Sequence, residues 1–146
     1  MPDLTMPLNV ALVQTALQWQ NPVANRQQLA EQISRIQAAD IIVLPEMFTT
    51  GFSMQSEHIA EPEGDTLGWL QQQAQQIGAA LVGSVATRTD KGCVNRCYFV
   101  TPDGDVSVYD KKHLFSFAGE HLHYTPGNEK IRLLFFLKSI PGAVPV

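Results

Sequence analysis

The chain has 146 residues, of which 45% are hydrophobic and 16% charged, and its formal net charge is -4. This length and composition fit one globular domain, and a negative charge without a run of Lys or Arg argues against nucleic-acid or membrane-surface binding. The longest uninterrupted apolar stretch, residues 133–137, is far shorter than the ~20 residues of a membrane-spanning helix. The N-terminus lacks the pattern of a signal peptide, so we expect a cytoplasmic protein.

The chain opens with a predicted strand and a predicted helix. Residues 8–15 are rich in Val, Leu and Ala and are expected to form a strand packed on both faces. Asn21 offers an N-cap and Pro22 the first helical position, where a missing N–H costs nothing. The helix is predicted to continue to about residue 38, because apolar residues follow at helical spacing. These residues are Leu29, Ile33 and Ile36.

A second strand, a long loop and a second helix follow. Residues 41–44 show no alternation of polar and apolar side chains, which is typical of a central strand covered on both sides. Residues 46–64 are rich in Thr, Ser, Gly and Pro and are predicted to form an irregular loop of the kind that often carries function. A helix capped by Asp65 or Thr66 and closed by Gly78 is predicted next.

The later elements are predicted to be antiparallel strands. The strands are expected at residues 79–87, 93–101 and 106–109, with turns at residues 90–92 and 102–105. The element order is therefore β-α-β-loop-α-β-β-β, which predicts an α/β fold with parallel early strands and antiparallel late strands. Residues 131–137 are apolar without periodicity and suit a further buried strand.

Charged side chains lie at the ends of two predicted strands. Glu46 follows the second strand, at the edge of the sheet where α/β folds place active sites, and it suits a general base. Lys111 and Lys112 follow the last strand, and a lysine held in a site stabilises an oxyanion. Taken alone, each residue is also compatible with an exposed position at a strand end, and His113 with a polar cap on a core strand.

A second carboxylate and a histidine pair follow the lysines. Glu120 suits a residue that pairs with Lys111 and holds it in position, and it is also compatible with a surface loop. His121 and His123 form a His-x-His pair, but two ligands do not make a metal site and no Cys or Asp lies nearby at zinc-ligand spacing. We therefore predict no metal.

Both cysteines of the chain lie on one predicted strand. Cys93 and Cys97 are four residues apart and point to the same face, and a core position is expected because neither has an evident cationic neighbour to activate a thiolate. The chain has no glycine-rich phosphate loop and no Gly-x-Ser-x-Gly motif, which argues against nucleotide binding and serine-hydrolase chemistry.

Several motifs of the chain resemble those of the nitrilase superfamily of carbon–nitrogen hydrolases. The motifs are LNVALVQT, IIVLPEMFTTGF, GSVAT, NRCYFVTPDGDVSVYDKKHLF and AGEHLHYTPGN. They extend from residue 8 to about residue 130, and the segments after Glu46 and Lys111 look most like the bacterial branch related to omega-amidases. The resemblance implies a nitrilase-type αββα sandwich, of which the chain holds the N-terminal half to two thirds.

The resemblance also implies a Glu-Lys-Cys triad that hydrolyses amides without a cofactor. Glu46 matches the general base and Glu120 a supporting glutamate. Lys111 matches the oxyanion-stabilising lysine, although Lys112 beside it leaves that register open. The implied substrates are the omega-amides of 2-oxo acids, 2-oxoglutaramate and 2-oxosuccinamate, from which ammonia is released. Full-length relatives are expected to be homo-oligomers.

The chain departs from the family pattern at the nucleophile. The family cysteine lies after the Tyr-Thr-Pro-Gly turn in a motif similar to Cys-Tyr-Asp-Leu-Arg-Phe-Pro, and no cysteine follows Cys97 here. We therefore interpret residues 1–130 as an incomplete hydrolase domain and residues 131–146 as an aberrant tail caused by truncation or a frameshift, and we expect no amidase activity. The alternatives are a non-catalytic binding or regulatory fragment with a pocket near Glu46 and Lys111, and a small α/β enzyme that uses Cys97.

Overall fold

A computed structural model of the protein describes residues 7–133. In this range the chain forms one mixed β-sheet with two longer helices packed on one of its faces. The strands are β1 Val10–Leu12, β2 Ile41–Val43, β3 Glu61–Pro62, β4 Ala80–Thr89, β5 Gly92–Val100 and β6 Val106–Asp110. The helices are α1 Pro22–Ser34, α2 Ser56–Ile59, α3 Asp65–Ile77 and α4 Glu120–His123, with a short 3₁₀ helix at Ser116–Ala118.

The sheet changes from parallel to antiparallel pairing, as the sequence predicts. Its order is β1-β2-β4-β5-β6, and β3 pairs with the far end of β4. Strands β1, β2 and β4 are parallel neighbours, because α1 and α3 carry the chain back across the sheet between them. Strands β4, β5 and β6 are antiparallel, because only short turns join them. This arrangement brings the ends of β2, β5 and β6 toward one region.

The predicted ends of the longer helices are largely confirmed. The Asn21 side chain accepts a hydrogen bond from the Ala24 N–H at 3.1 Å, and Pro22 occupies the first position of α1. Gly78 closes α3 with a left-handed φ of 71°. Helix α1 ends at Ser34, earlier than the predicted end near residue 38.

The segment between β2 and α3 differs from the prediction in two ways. It is not irregular throughout, because it contains α2 and β3. Neither Asp65 nor Thr66 caps α3 with its own side chain. Instead Glu61 in β3 accepts hydrogen bonds from the N–H and the hydroxyl of Thr66, at 3.1 and 2.8 Å. A side chain from a neighbouring strand therefore replaces the predicted local cap, which the sequence pattern alone does not reveal.

The main core lies between the sheet and helices α1 and α3. Its largest contributors are Leu29, Ile33, Ile42, Leu44, Phe48, Leu70, Leu81, Val85, Tyr98 and Val100. Each fully buried side chain of this size contributes about 1.5–3 kcal/mol through the hydrophobic effect. Gly83 in β4 makes room for this core, since a Cβ at that position would lie 2.7 Å from the Phe48 ring.

Strand β1 is covered on one side within residues 7–133. Ala11 packs against the main core, whereas Val10 and Leu12 keep 48% and 75% of their surface exposed. The prediction of a strand at residues 8–15 packed on both faces was therefore wrong for the described residues, and β1 is also shorter than predicted. The reason is that α1 and α3 both cover the same face of the sheet.

The strand predicted at residues 131–137 lies only partly within the described residues. Residues 131–133 do not form a strand, and the rest of the strand predicted at 131–137 lies outside the described residues, as does most of the predicted tail. Among residues 7–133, no helix combines the length and the apolar character that crossing a membrane requires.

Candidate active site

Glu46 lies in a tight turn that follows β2 and is fastened to β4. Ser84 makes the attachment: its hydroxyl accepts from the Met47 N–H at 2.8 Å, and its carbonyl accepts from the Phe48 N–H at 3.2 Å. Met47 is fully buried and has a left-handed φ of 48°, which is uncommon for a non-glycine residue. The backbone that carries the Glu46 carboxylate is therefore held by β4 and by the core.

The backbone of Lys111 is fixed directly after β6. Its N–H donates to the Asn95 carbonyl at 2.9 Å, and its own carbonyl accepts from the Gly127 N–H at 3.0 Å. A Cβ at Gly127 would overlap the carbonyl oxygen of Asp110, so this close approach requires a glycine. The two flanking segments therefore set the direction in which the lysine side chain leaves the backbone.

The ammonium of Lys111 contacts two carboxylates. Its Nζ lies 2.8 Å from Oε1 of Glu46 and 3.0 Å from Oε1 of Glu120. The ring of Phe52 adds a cation–π contact, with its centroid 5.3 Å from the ammonium. The structure thus brings together the three residues that the sequence analysis selected, and Lys111 rather than Lys112 supplies their shared ammonium.

Glu120 is a fully buried carboxylate at the first residue of α4. Its Oε1 accepts from the Phe115 N–H at 2.7 Å, and its Oε2 accepts from Nδ2 of Asn95 at 3.1 Å. Burial by itself raises the pKa of this carboxyl, but the hydrogen bonds from Phe115, Lys111 and Asn95 outweigh burial and hold the pKa below the ordinary value of 4.5. Glu120 is therefore ionised at neutral pH and is not a surface-loop residue.

Opposing influences also act on Lys111. Burial lowers the pKa of its ammonium, but hydrogen bonds to Glu46 and Glu120 outweigh that influence and raise the pKa above the ordinary value of 10.5. The lysine is therefore protonated at neutral pH and serves as a fixed positive charge. The Glu46 side chain remains 48% exposed, so its carboxylate is accessible to a ligand. This arrangement combines an accessible proton acceptor with a cation that stabilises negative charge.

Asn95 is a residue of this site that the sequence analysis missed. It lies in β5 and is 2% exposed, and its Nδ2 donates to Glu46 at 2.9 Å and to Glu120 at 3.1 Å. The available signal was an asparagine in the interior of a predicted strand, where amide side chains are depleted. That signal does not identify the partners, because they are distant in sequence and depend on how the strands are paired.

Neither cysteine has the surroundings of an activated thiol. Cys97 lies on the same face of β5 as Asn95, and burial together with the nearby charge of Glu46 raises the pKa of its thiol. Cys93 is partly buried and packs against the smaller cluster that contains Met47 and Tyr124. Because a nucleophilic cysteine requires a lowered pKa, the structure does not favour the alternative in which Cys97 attacks the substrate.

The histidines lie apart from the contacts described above. His113, His121 and His123 are all exposed. Within the part of the chain that the structure describes, no group of three or more His, Cys, Asp or Glu side chains is placed to hold a metal ion. His121 and His123 are exposed side chains of the short helix α4.

Comparison with known proteins finds relatives of this chain in one family. The family model described as carbon-nitrogen hydrolase matches residues 9–139. Omega-amidase YafV of Escherichia coli K12 is 44% identical over 124 residues, which cover 85% of this chain and 48% of that protein. The 2-oxoglutaramate amidase of Bacillus subtilis is 36% identical over 95 residues, which cover 62% of this chain and 37% of that protein.

A solved structure agrees with the fold. The CN-hydrolase superfamily protein XC1258 of Xanthomonas campestris, whose active site carries an arsenic adduct, matches with a TM-score of 0.85 and 39% identity over 90% of this chain and 50% of its own. This match confirms the expected nitrilase-type α/β fold. The chain spans about half the length of the YafV omega-amidases that it matches.

Proposed function

The chain belongs to the carbon–nitrogen hydrolase family, and on this premise we propose that Glu46, Lys111 and Glu120 form the acid–base part of an amidase active site. The observation that carries the proposal is the double contact of the Lys111 ammonium with the two carboxylates, at 2.8 and 3.0 Å. A fixed ammonium beside an accessible carboxylate suits a reaction in which a proton is removed and negative charge develops on oxygen.

Each residue has a separate part in the proposed reaction. Glu46 accepts the proton of a cysteine thiol as the sulfur attacks the amide carbon, and Lys111 stabilises the oxyanion of the tetrahedral intermediate. Glu46 then gives this proton to the nitrogen as the carbon–nitrogen bond breaks, so that ammonia leaves and a thioester remains on the cysteine. Water, activated by Glu46, hydrolyses the thioester to a carboxylic acid. Glu120 holds Lys111 in place throughout.

The thiol in this scheme is supplied by neither cysteine of the chain. The thiol pKa of Cys97 is raised, and Cys93 packs in an apolar cluster. The 146-residue chain on its own therefore holds the carboxylate and ammonium groups without a nucleophile. Loss of a nucleophile from such a triad costs a factor on the order of 10⁶ in rate.

The proposed substrates are omega-amides of 2-oxo acids, such as 2-oxoglutaramate and 2-oxosuccinamate. Support comes from the similarity to proteins called omega-amidase and 2-oxoglutaramate amidase. The site adds a positive charge, the Lys111 ammonium, in contact with the partly exposed carboxylate of Glu46.

A chimera tests this function. The segment of the Escherichia coli omega-amidase that aligns with this chain is replaced by the chain's own segment, which leaves the relative's C-terminal half in place. We expect ammonia release from 2-oxoglutaramate, and we expect Glu46→Gln or Lys111→Met to reduce it by roughly four orders of magnitude.

Three controls accompany the chimera. Glu31→Gln removes an exposed carboxylate from α1 and is expected to leave the rate unchanged. The 146-residue chain alone is expected to release no more ammonia than its Glu46→Ala variant. A folded chimera that hydrolyses no omega-amide, or that keeps its full rate without Glu46 and Lys111, would contradict the proposal.

A further inference from the structure

We propose that Asn95 is a positioning residue that holds the Glu46 and Glu120 carboxylates in place on the Lys111 ammonium. The catalytic purpose that we assign to this arrangement rests on the proposed function. The arrangement itself rests on the hydrogen bonds of one buried side chain, and these do not depend on the reaction.

A single amide nitrogen joins the two carboxylates. Nδ2 of Asn95 donates one hydrogen to Oε1 of Glu46 at 2.9 Å and the other to Oε2 of Glu120 at 3.1 Å. Both of its N–H groups therefore have charged acceptors, and such hydrogen bonds are stronger than those between neutral groups. Because Oε1 of Glu46 also accepts from Lys111, the position of that oxygen is set by two donors.

The orientation of the amide is fixed by charge. The reversed amide would place Oδ1 against two carboxylate oxygens, which repel it, so the nitrogen must face them. Oδ1 is then buried and has no hydrogen-bond partner among residues 7–133. An unpaired buried acceptor costs free energy. Here that cost accompanies two hydrogen bonds from the amide N–H groups to carboxylates.

The backbone of Asn95 connects to the third member of the group. Its carbonyl accepts the N–H of Lys111 at 2.9 Å, just beyond the pairing of Arg96 with Asp110. One residue of β5 therefore contacts the base, the supporting glutamate and the lysine. A shift of β5 by one residue would turn the Asn95 side chain to the opposite face of the sheet and break all of these contacts.

No other side chain of similar size supplies the same interaction. An aspartate would add a third negative charge to a group in which Lys111 supplies the one ammonium among residues 7–133, and a leucine would fill the space without a donor. Among residues 7–133, the charged residues that contact Asn95 are Glu46 and Glu120 through its side chain and Lys111 through its backbone, and the thiols of Cys93 and Cys97 lie on the same face of β5. The amide donates twice and adds no charge to this group.

NMR titration of the full 146-residue chain tests the role of Asn95 without any measurement of catalysis. Glutamate side chains carry ¹³C at the carboxyl carbon and lysine side chains carry ¹⁵N at Nζ, so that Glu120 and Lys111 are followed separately. In Asn95→Leu we expect the titration midpoint of Glu120 to move to higher pH and that of Lys111 to lower pH. The physical reason is the loss of a donor to Glu120 and a weaker hold of both carboxylates on the ammonium.

A matched variant separates positioning from general packing. Val94→Ala removes buried volume from the neighbouring position of β5, whose side chain points to the other face, and it is expected to lower stability while both midpoints stay unchanged. If Asn95→Leu does not fold, Asn95→Ala removes the same donors with a smaller side chain and gives the same comparison.

Unchanged midpoints in a folded Asn95 variant would overturn the inference and reduce Asn95 to a packing residue. An inactive chimera would count against the proposed amidase function alone, because the titration reports the arrangement of charges and not turnover. The two failures are therefore distinguishable.

Discussion

At the scale of single residues, the site is a small charge network in which one member is completely buried. Glu120 has no exposed surface, and removing a carboxylate from water is costly unless hydrogen bonds and an opposite charge replace the water. Phe115, Asn95 and Lys111 provide those replacements. The ionised state of Glu120 is consequently part of the folded structure, so protonation and folding are linked.

Substitution of Glu120 tests this linkage. Because the pKa of Glu120 is lowered in the folded chain, its ionisation stabilises the fold above the ordinary pKa of 4.5, and this stabilisation is lost as the pH falls through the lowered value. We expect Glu120→Gln to reduce the free energy of unfolding at pH 7 by about 2–3 kcal/mol. The difference from the wild-type chain should shrink as the pH is lowered below 4.5.

Urea unfolding at a series of pH values measures the effect of Glu120→Gln. Glu31→Gln, on the exposed side of α1, is the control and should change stability by less than about 0.5 kcal/mol at each pH. An equal loss in Glu120→Gln at all pH values would show that the substitution disturbs packing rather than a charged interaction.

At the scale of elements, β4 connects the core to the site. Gly83 allows the Phe48 ring to pack against the sheet, and Ser84 beside it binds the backbone of the turn that carries Glu46. Adjacent residues of one strand therefore serve opposite faces, with packing on one side and positioning on the other.

Substitution of Gly83 tests how closely Phe48 packs on β4. An added Cβ would lie 2.7 Å from the Phe48 ring and 3.1 Å from Cβ of Leu44, so Gly83→Ala should destabilise the chain by about 1–3 kcal/mol. Gly68 in α3 is the matched control, because a Cβ there meets no atom within 4 Å. Gly68→Ala should stabilise the chain by about 0.5–1 kcal/mol. Equal effects of the two substitutions in urea unfolding would refute the close contact.

At the scale of the whole molecule, the described residues cover one face of the sheet with helices and leave apolar side chains on the edge strand exposed. Leu8, Val10 and Leu12 are 49%, 48% and 75% exposed. They occupy every second position from residue 8, two residues before β1, to the end of that strand. An exposed apolar edge strand favours association with other chains, because its backbone groups and its side chains are both available.

A charge on this strand tests its exposure. We expect Leu12→Lys to lower the fluorescence of a bound apolar dye and to reduce self-association in sedimentation velocity, with little change in stability. Val23→Lys is the control, since Val23 is 68% exposed and lies on α1 instead of β1. Dye binding and association that stay the same in Leu12→Lys would mean that the strand is covered in solution.

The sequence by itself determined the order of the elements and the identity of the main charged residues. Helix spacing and the Asn21 cap predicted α1, and the short turns predicted the antiparallel strands, because these features depend on residues close together in the chain. The resemblance to carbon–nitrogen hydrolases selected Glu46, Lys111 and Glu120. The sequence did not determine whether the side chains of these three residues contact one another.

The tertiary structure decided which groups touch and in which state they are. Lys111 reaches Glu46 across 65 positions of sequence, and Asn95 reaches Glu46 across 49, so both contacts depend on the pairing of strands and on the turn held by Ser84. The hydrogen bonds that keep Glu120 ionised in spite of its burial are likewise a property of the assembled fold. Local sequence patterns specify the backbone of each element, whereas the electrostatic environment of a side chain is set by neighbours that only folding brings within hydrogen-bond distance.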